Sequence, residues 1–193
     1  MKFNYPAGAT PLSPEELEGL IPEEITTQGD LNAWEQQNIL DGRQRLAQRG
    51  PGELLSDEAI KTAHRRMFGE TWRWAGQYRT SGKNIGVDWA RIPEEIRLLC
   101  EDMRYQREHH TYPVDEFATR FHHRLVSVHP FANGNGRHAR LMTDLLLKSL
   151  GSPAFTWGRA DLNRDGDARD YYLAALRTAD AHDYGPLSGF VRS

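Results

Sequence analysis

The stretch His129-Pro-Phe-Ala-Asn-Gly-Asn-Gly-Arg-His-Ala-Arg140 decides how the rest of the chain is read. Pro130 pushes the residue before it out of the α region, so a helix arriving from the N-terminal side stops at His129. Gly134 and Gly136 let backbone N–H groups turn inward with no Cβ in the way. A helix follows at once, so unpaired N–H groups converge on one space, an arrangement that binds anions and phosphate above all. Arg137 and Arg140, three residues apart, share a helix face near the first turn. Two guanidinium forks beside such a nest suit a polyphosphate better than a single carboxylate. His129 is placed to take a proton from an incoming hydroxyl, a role typically worth ~10²–10⁴ in rate. Taken singly each sign is weak: a loop histidine is more often structural, and arginines at this spacing usually line a solvated face. Together, within twelve consecutive residues, they describe transfer from a nucleotide to a hydroxyl.

Outward from this loop the chain reads as helical. Phe117, Phe121, Leu125 and Val128 line one side of a run from Asp115 to Val128, and Leu141, Leu145 and Leu146 continue the helix after Gly134 to a stop at Gly151. Ile96, Leu99, Cys100 and Met103 mark another after Pro93. Tyr172, Leu173, Leu176 and Ala179, then Leu187 to Val191, mark the last two. Towards the N-terminus, Ser13 and Glu16 have capping-box spacing. Asp30 is an N-cap candidate for a helix with Leu31, Trp34, Ile39 and Leu40 inward, ended by Arg49-Gly-Pro-Gly52. Ser56 caps a helix holding Ile60, His64 and Met67, and the first dozen residues, with Pro6, Gly8 and Pro11, read as an extended arm. Trp72 to Val87 breaks the pattern, since aromatics and β-branched residues around Gly76, Gly82 and Gly86 read as a short hairpin or a loose flap. The expected fold is all-α with a β-hairpin.

The 193 residues suffice for one real core. The 24 Lys and Arg stand against 27 Asp and Glu, a net charge of −3, which argues against a protein that coats nucleic acid. Cys100 is the single cysteine, so no internal disulfide forms, and its setting is that of a buried thiol. The chain has no apolar run of membrane length and no cleavable leader, so a cytoplasmic protein is expected.

The loop resembles the signature of the Fic family, His-Pro-Phe-x-acidic-Gly-Asn-Gly-Arg-x-x-Arg. That resemblance implies a helical core with a hairpin flap, and a protein adenylyltransferase that moves AMP from ATP to a Ser, Thr or Tyr hydroxyl. By it His129 is the general base, Phe131 a buried anchor, and Gly134, Asn135 and Gly136 the anion hole. Arg137 would take the inner phosphates and Arg140 the terminal one. Trp74-Ala-Gly-Gln-Tyr-Arg79, Ile85-Gly-Val87 and Ile92-Pro93 are similar to the family's flap, so a protein substrate would dock along residues 76–90. Tyr171-Tyr-Leu-Ala-Ala-Leu176 is similar to its closing helices, which assigns the adenine pocket to Tyr171 or Tyr172. Ile25-Thr-Thr-Gln28 and Leu31 to Asn38 resemble the branch called mobile mystery protein B, whose genes travel on mobile elements with a helix-turn-helix partner. The matching domain would span 55–193, with 1–54 an N-terminal region of inhibitory character. In such a region a glutamate commonly pairs with the second signature arginine, here Arg140. Glu35 is the first candidate and Glu18 the second, against the plain alternative that both decorate exposed faces.

One residue departs from the signature. Asn133 stands at the acidic position that holds Mg²⁺ against the phosphates, and an uncharged amide oxygen is a weaker ligand for a hard cation. A nucleotide-binding regulator with little catalysis is therefore the alternative, as is a related phosphate or nucleotide transfer, or removal of AMP. Two other patterns point away from their obvious readings. Asp161, Asn163, Asp165 and Gly166 begin like a calcium loop, but Arg169 and Tyr172 stand where its later ligands belong. His122, His123, His129 and His138 lack the spacing of a helical zinc site.

Overall fold

A computed structural model describes residues 10–46, 54–159, 162 and 166–193. The expected arm before Thr10, the Arg49–Gly52 stop and most of the calcium-like loop lie outside these residues. Among the described residues eight α-helices follow in order: α1 Pro14–Leu17, α2 Gln28–Leu46, α3 Asp57–Phe68, α4 Ile92–Glu108, α5 Val114–Val128, α6 Asn135–Ser149, α7 Asp167–Asp180 and α8 Gly185–Val191. No described helix is long and apolar enough to cross a membrane.

Local chemistry sets the helix starts. Ser13 and Glu16 close a reciprocal capping box on α1, with Ser13 N–H donating to Glu16 Oε2 at 2.7 Å. Ser56 caps α3 by accepting from Ala59 N–H at 3.2 Å. For α2 the start corrects the Asp30 expectation. Asp30 lies inside the first turn and accepts from Thr27 N–H at 2.8 Å, while Thr27 Oγ1 accepts from Asp30 N–H at 3.2 Å. The pair is a capping box one turn earlier than the apolar pattern suggested.

The packing face of α2 is a second correction. Trp34 and Leu40 point outward, at 44% and 49% exposure, whereas Glu35 and Asn38 are buried beside Leu31 and Leu46. The face follows Leu31, Glu35, Asn38, Gly42 and Leu46, helical spacing with polar residues at its centre. Asn38 Oδ1 accepts the Glu70 N–H at 3.1 Å, so the amide ties α2 to the end of α3. Gly42 allows the two helices their close approach, because a Cβ there would lie 2.4 Å from the Arg66 carbonyl oxygen.

The central pair α5 and α6 carries the core, with α4 packed on α5 and α3 on α6. Phe68, Phe121, Phe131, Leu99 and Met142 are fully buried there. Ile25, Leu31 and Leu46 belong to the same cluster, so α2 is packed into the core and does not merely cover it. A second cluster of Phe155, Trp157, Tyr172, Leu187 and Phe190 fixes α7 and α8 against the far side of α5 and α6. Cys100 lies in the main core, where burial pushes its thiol up to about 11.

The expected β-hairpin is absent. Among the described residues β-pairing is limited to one isolated bridge between Leu20 and Trp72. Residues 73–88 form turns and bends instead. The reason is Arg79. Its guanidinium donates to the carbonyls of Ser81 at 2.9 Å and Val87 at 2.5 Å, taking up acceptors that a cross-strand ladder would need. Its Nε donates to the His129 carbonyl at 2.7 Å, and its backbone N–H to that of Pro130 at 2.9 Å. The flap is thus a loop folded around one cation and bolted to the segment where α5 ends.

Candidate active site

The 129–134 loop joins the two central helices. His129 ends α5 in the left-handed conformation, at φ 53°, and is buried. Phe131 is fully buried, with its ring stacked on His64 at 3.7 Å. His64 Nδ1 accepts the Gly76 N–H at 3.0 Å, which leaves Nε2 to donate to the Asn133 carbonyl at 3.0 Å. Burial and the neighbouring His138 hold His64 well below its usual pKa, in keeping with a neutral ring in this role. Gly134 opens α6 at φ +78°, and a Cβ there would lie 2.6 Å from the Phe68 ring. Both the backbone and the space require glycine at this position.

Asn135 closes the loop with its side chain. Oδ1 accepts from Phe131 N–H at 2.9 Å and Nδ2 donates to the Phe131 carbonyl at 2.8 Å. Its amide group is thereby engaged in shaping the loop, so its part in an anion hole is left to the backbone. No side chain caps α6. The first N–H groups of an α-helix have no intrahelical partner, so those of Asn135, Gly136 and Arg137 are open to an anion at the start of α6.

The two arginines have different neighbours. Arg137 NH1 lies 2.6 Å from Glu35 Oε2, and NH2 lies 3.4 Å from Asn133 Oδ1, with the guanidinium over the Phe68 ring. Glu35 also accepts the Trp72 Nε1–H at 2.7 Å, so its buried carboxylate is held from two sides. The sequence pointed to Glu35 facing Arg140; it faces Arg137, because α2 crosses near the start of α6. Glu18 is exposed just after α1. Arg140 is half-buried and bonded to the Tyr172 hydroxyl; burial and Arg137 lower its pKa, against Tyr172. Tyr172 is 3% exposed, with His122 Nε2 2.8 Å from its hydroxyl, whereas Tyr171 is 53% exposed. Nearby, Asp144 accepts from Trp157 Nε1–H at 3.0 Å and from Phe155 N–H at 3.3 Å, and burial pushes it up to about 6.

Asn133 is a poor fit for a resident cation. Its Oδ1 accepts the Gly134 N–H at 2.6 Å and faces Arg137, while its Nδ2 donates to the Thr10 carbonyl at 3.2 Å. Among the described residues no group of three or more His, Cys, Asp or Glu side chains is placed to hold a metal. The histidines suggested by composition are dispersed. His123 faces Asp180 at 2.9 Å, and His138 meets the Ile60 carbonyl at 3.0 Å.

His129 Nε2 lies 3.0 Å from the Thr10 hydroxyl. Burial first, then the cations Arg79 and Lys83, press the imidazole down to about 4, against the Val126 carbonyl. The ring is neutral near pH 7. Three contributors escaped the sequence reading. Thr10 carries no local motif, His64 reads as one more inward helix residue, and Arg79 reads only as part of the flap. A buried arginine among three carbonyls has no linear signature.

Residues 54–147 match the Fic/DOC family model. The chain is 31% identical over 149 residues to Protein adenylyltransferase Fic of Nematostella vectensis, covering 72% of this chain and 32% of that protein. It is 30% identical over 141 residues to Protein adenylyltransferase fic-1 of Caenorhabditis elegans, covering 71% and 26%. It therefore spans about a third or less of the length of these relatives. The fold is similar to that of BepC from Bartonella tribocorum, crystallised with AMPPNP, at 15% identity and a TM-score of 0.69 over 93% of this chain and 97% of that one. C. elegans Fic-1 (residues 134–508) superposes with a TM-score of 0.65 at 26% identity, over 91% and 51%.

Proposed function

Because the chain carries a Fic/DOC family domain, we propose that it moves AMP from ATP onto a Ser, Thr or Tyr hydroxyl of a protein. The attacking oxygen meets the α-phosphorus, its proton passes to His129 Nε2, and pyrophosphate leaves. The open N-terminus of α6 and Arg137 hold the inner phosphates, and Arg140 the terminal one, with Tyr172 toward the base. Fixed donors in a half-buried site stabilise charge that develops in the transition state without reorganising. The acceptor protein would lie along residues 76–90. Relatives named as adenylyltransferases support this reading, as do fold neighbours holding AMPPNP or ADP.

The observation that carries it is a neutral imidazole with Nε2 3.0 Å from a hydroxyl, beside an uncapped helix start and two guanidiniums. Mg²⁺ would accompany ATP on its own phosphates, since the Asn133 oxygen is already engaged. Glu35 must leave Arg137 for the phosphates to settle, which makes it the inhibitory candidate in this scheme. Placement in the mobile mystery protein B branch, a helix-turn-helix partner and a cytoplasmic setting belong to the same proposal, supported by the Ile25–Gln28 and Leu31–Asn38 stretches.

Lysate incubated with this chain and α-labelled ATP should show a labelled protein, and γ-labelled ATP should leave it dark. Label from the γ position would replace AMP transfer by phosphate transfer. A second reading, a nucleotide-binding regulator, is favoured by the Glu35–Arg137 contact and the uncharged Asn133. It predicts nucleotide binding with no adduct from either donor.

A further inference from the structure

We propose that Thr10 is itself an acceptor of the transfer reaction, presented in cis to His129. The inference rests on the AMP-transfer reading above and adds a specific residue to it. Thr10 is buried, and its hydroxyl is 3.0 Å from His129 Nε2, where an acceptor hydroxyl has to stand for its proton to be taken.

The surrounding chain is fastened so as to hold it there. Asn133 Nδ2 donates to the Thr10 carbonyl at 3.2 Å. Lys83 Nζ donates to the next carbonyl, that of Pro11, at 3.1 Å, and pairs with Glu16 at 2.5 Å. Glu16 in turn accepts from Ser81 Oγ–H at 3.1 Å and from Ser13 N–H at 2.7 Å. The segment thus lies along the 81–84 side of the flap, held there by main-chain and side-chain contacts, with the Thr10 hydroxyl at the base. The amide at position 133 belongs to this arrangement. It donates to the Thr10 carbonyl, which an ionised carboxylate cannot do.

In the step, the Thr10 Oγ1–phosphorus bond forms at the α-phosphate of ATP. The bond from that phosphorus to the α–β bridging oxygen breaks, pyrophosphate departs with the electron pair, and the hydroxyl proton passes to His129 Nε2.

The test uses the full chain, wild type and Glu35→Gly, incubated with ATP and Mg²⁺ beside lysate, followed by peptide mapping by mass spectrometry. An AMP-sized addition on Thr10 is expected, lost in Thr10→Val and kept on the serine of Thr10→Ser. A ¹⁵N-marked His129→Ala chain mixed with active chain should stay unmodified at Thr10, since the geometry is intramolecular. Labelled lysate protein with Thr10 clean, or equal modification of the marked His129→Ala chain, overturns the cis acceptor and leaves the transfer reading standing. No AMP on any protein overturns both.

Discussion

The Glu35 carboxylate, on α2, lies 2.6 Å from Arg137 NH1 at the first turn of α6, and both are withdrawn from solvent. The arginine in the first turn of α6 is thus paired with a residue about a hundred positions away in sequence. Breaking one side of a buried pair is costly, ~3–5 kcal/mol, unless another anion takes the vacated position. A nucleoside triphosphate is such an anion, so under the proposed function carboxylate and phosphate compete for one guanidinium.

Removing the competitor should therefore tighten nucleotide binding. Glu35→Gln keeps an acceptor for Trp72 Nε1–H and loses the charge, whereas Glu35→Gly loses both. ATP affinity should rise about tenfold or more in each, corresponding to ~1.4 kcal/mol or more. Only Glu35→Gly should also lose ~1–3 kcal/mol of stability through the stranded indole N–H. Calorimetry and thermal unfolding check the two halves separately. Unchanged affinity in both variants would remove Glu35 from control of the site.

Asn133→Asp should make binding respond to Mg²⁺. The carboxylate can still accept the Gly134 N–H, adds a charge beside Arg137, and offers a hard oxygen to a cation. The expected result is ATP affinity that rises several-fold when Mg²⁺ is added to the variant, against a smaller response in the wild type. Equal Mg²⁺ dependence in the two would show that this position has no bearing on the metal.

Arg79→Ala should damage the fold and the site together. The change strands carbonyls of Ser81, Val87 and His129, at ~1–3 kcal/mol for each left unsatisfied and out of water. A loss of ~2–4 kcal/mol in chemical denaturation is expected, with transfer activity down at least tenfold. Arg79→Lys should recover only part of this, because an ammonium cannot reproduce the planar fork. Full stability in Arg79→Ala would contradict the view that this cation organises the flap.

Acid should unfold the protein earlier than carboxylate protonation alone would. Folded pKa values are depressed to about 3 at His122 and about 4 at His129 and His138, all below the ordinary 6.5, chiefly by burial. Between pH 6.5 and about 4 the unfolded chain binds protons at these rings that the folded chain does not. Stability is therefore fully present above about 6.5 and falls as pH drops toward 4. Each pKa unit is about 1.4 kcal/mol, so every such ring contributes on the order of a few kcal/mol. Asp144, raised to about 6, has the opposite sign and offsets part of the loss. Tm should be level from pH 8 to 7 and drop steeply below 6; a flat profile down to pH 4.5 would refute the buried neutral histidines.

The helices around the loop were legible in sequence because their apolar periodicity and their caps agreed. Phe117, Phe121 and Leu125 on α5, and Ser56 before α3, sit as their spacing required. The inward face of α2 was not legible, since Glu35 and Asn38 occupy it for their polar partners while Trp34 faces out. The flap departs from a hairpin for a related reason. Glycines and β-branched residues suggested two strands, but the carbonyls that would pair them are bonded to Arg79. Within the site, His129, Arg137 and Arg140 could be named from one contiguous motif. Thr10 and His64 could not, because what matters about them is distance in space: 119 and 69 residues separate them from their partners His129 and Asn133.

One measurement bears most directly on the central claim that this loop holds ATP with its α-phosphorus beside a neutral imidazole. Glu35→Gly, and the same variant with His129→Ala added, are incubated with α-labelled ATP, and label on protein is counted while nucleotide affinity is measured in parallel. The account predicts label in the first and background in the second, at similar nucleotide affinity. Undiminished label without the imidazole, or no label in either despite tight binding, would contradict it.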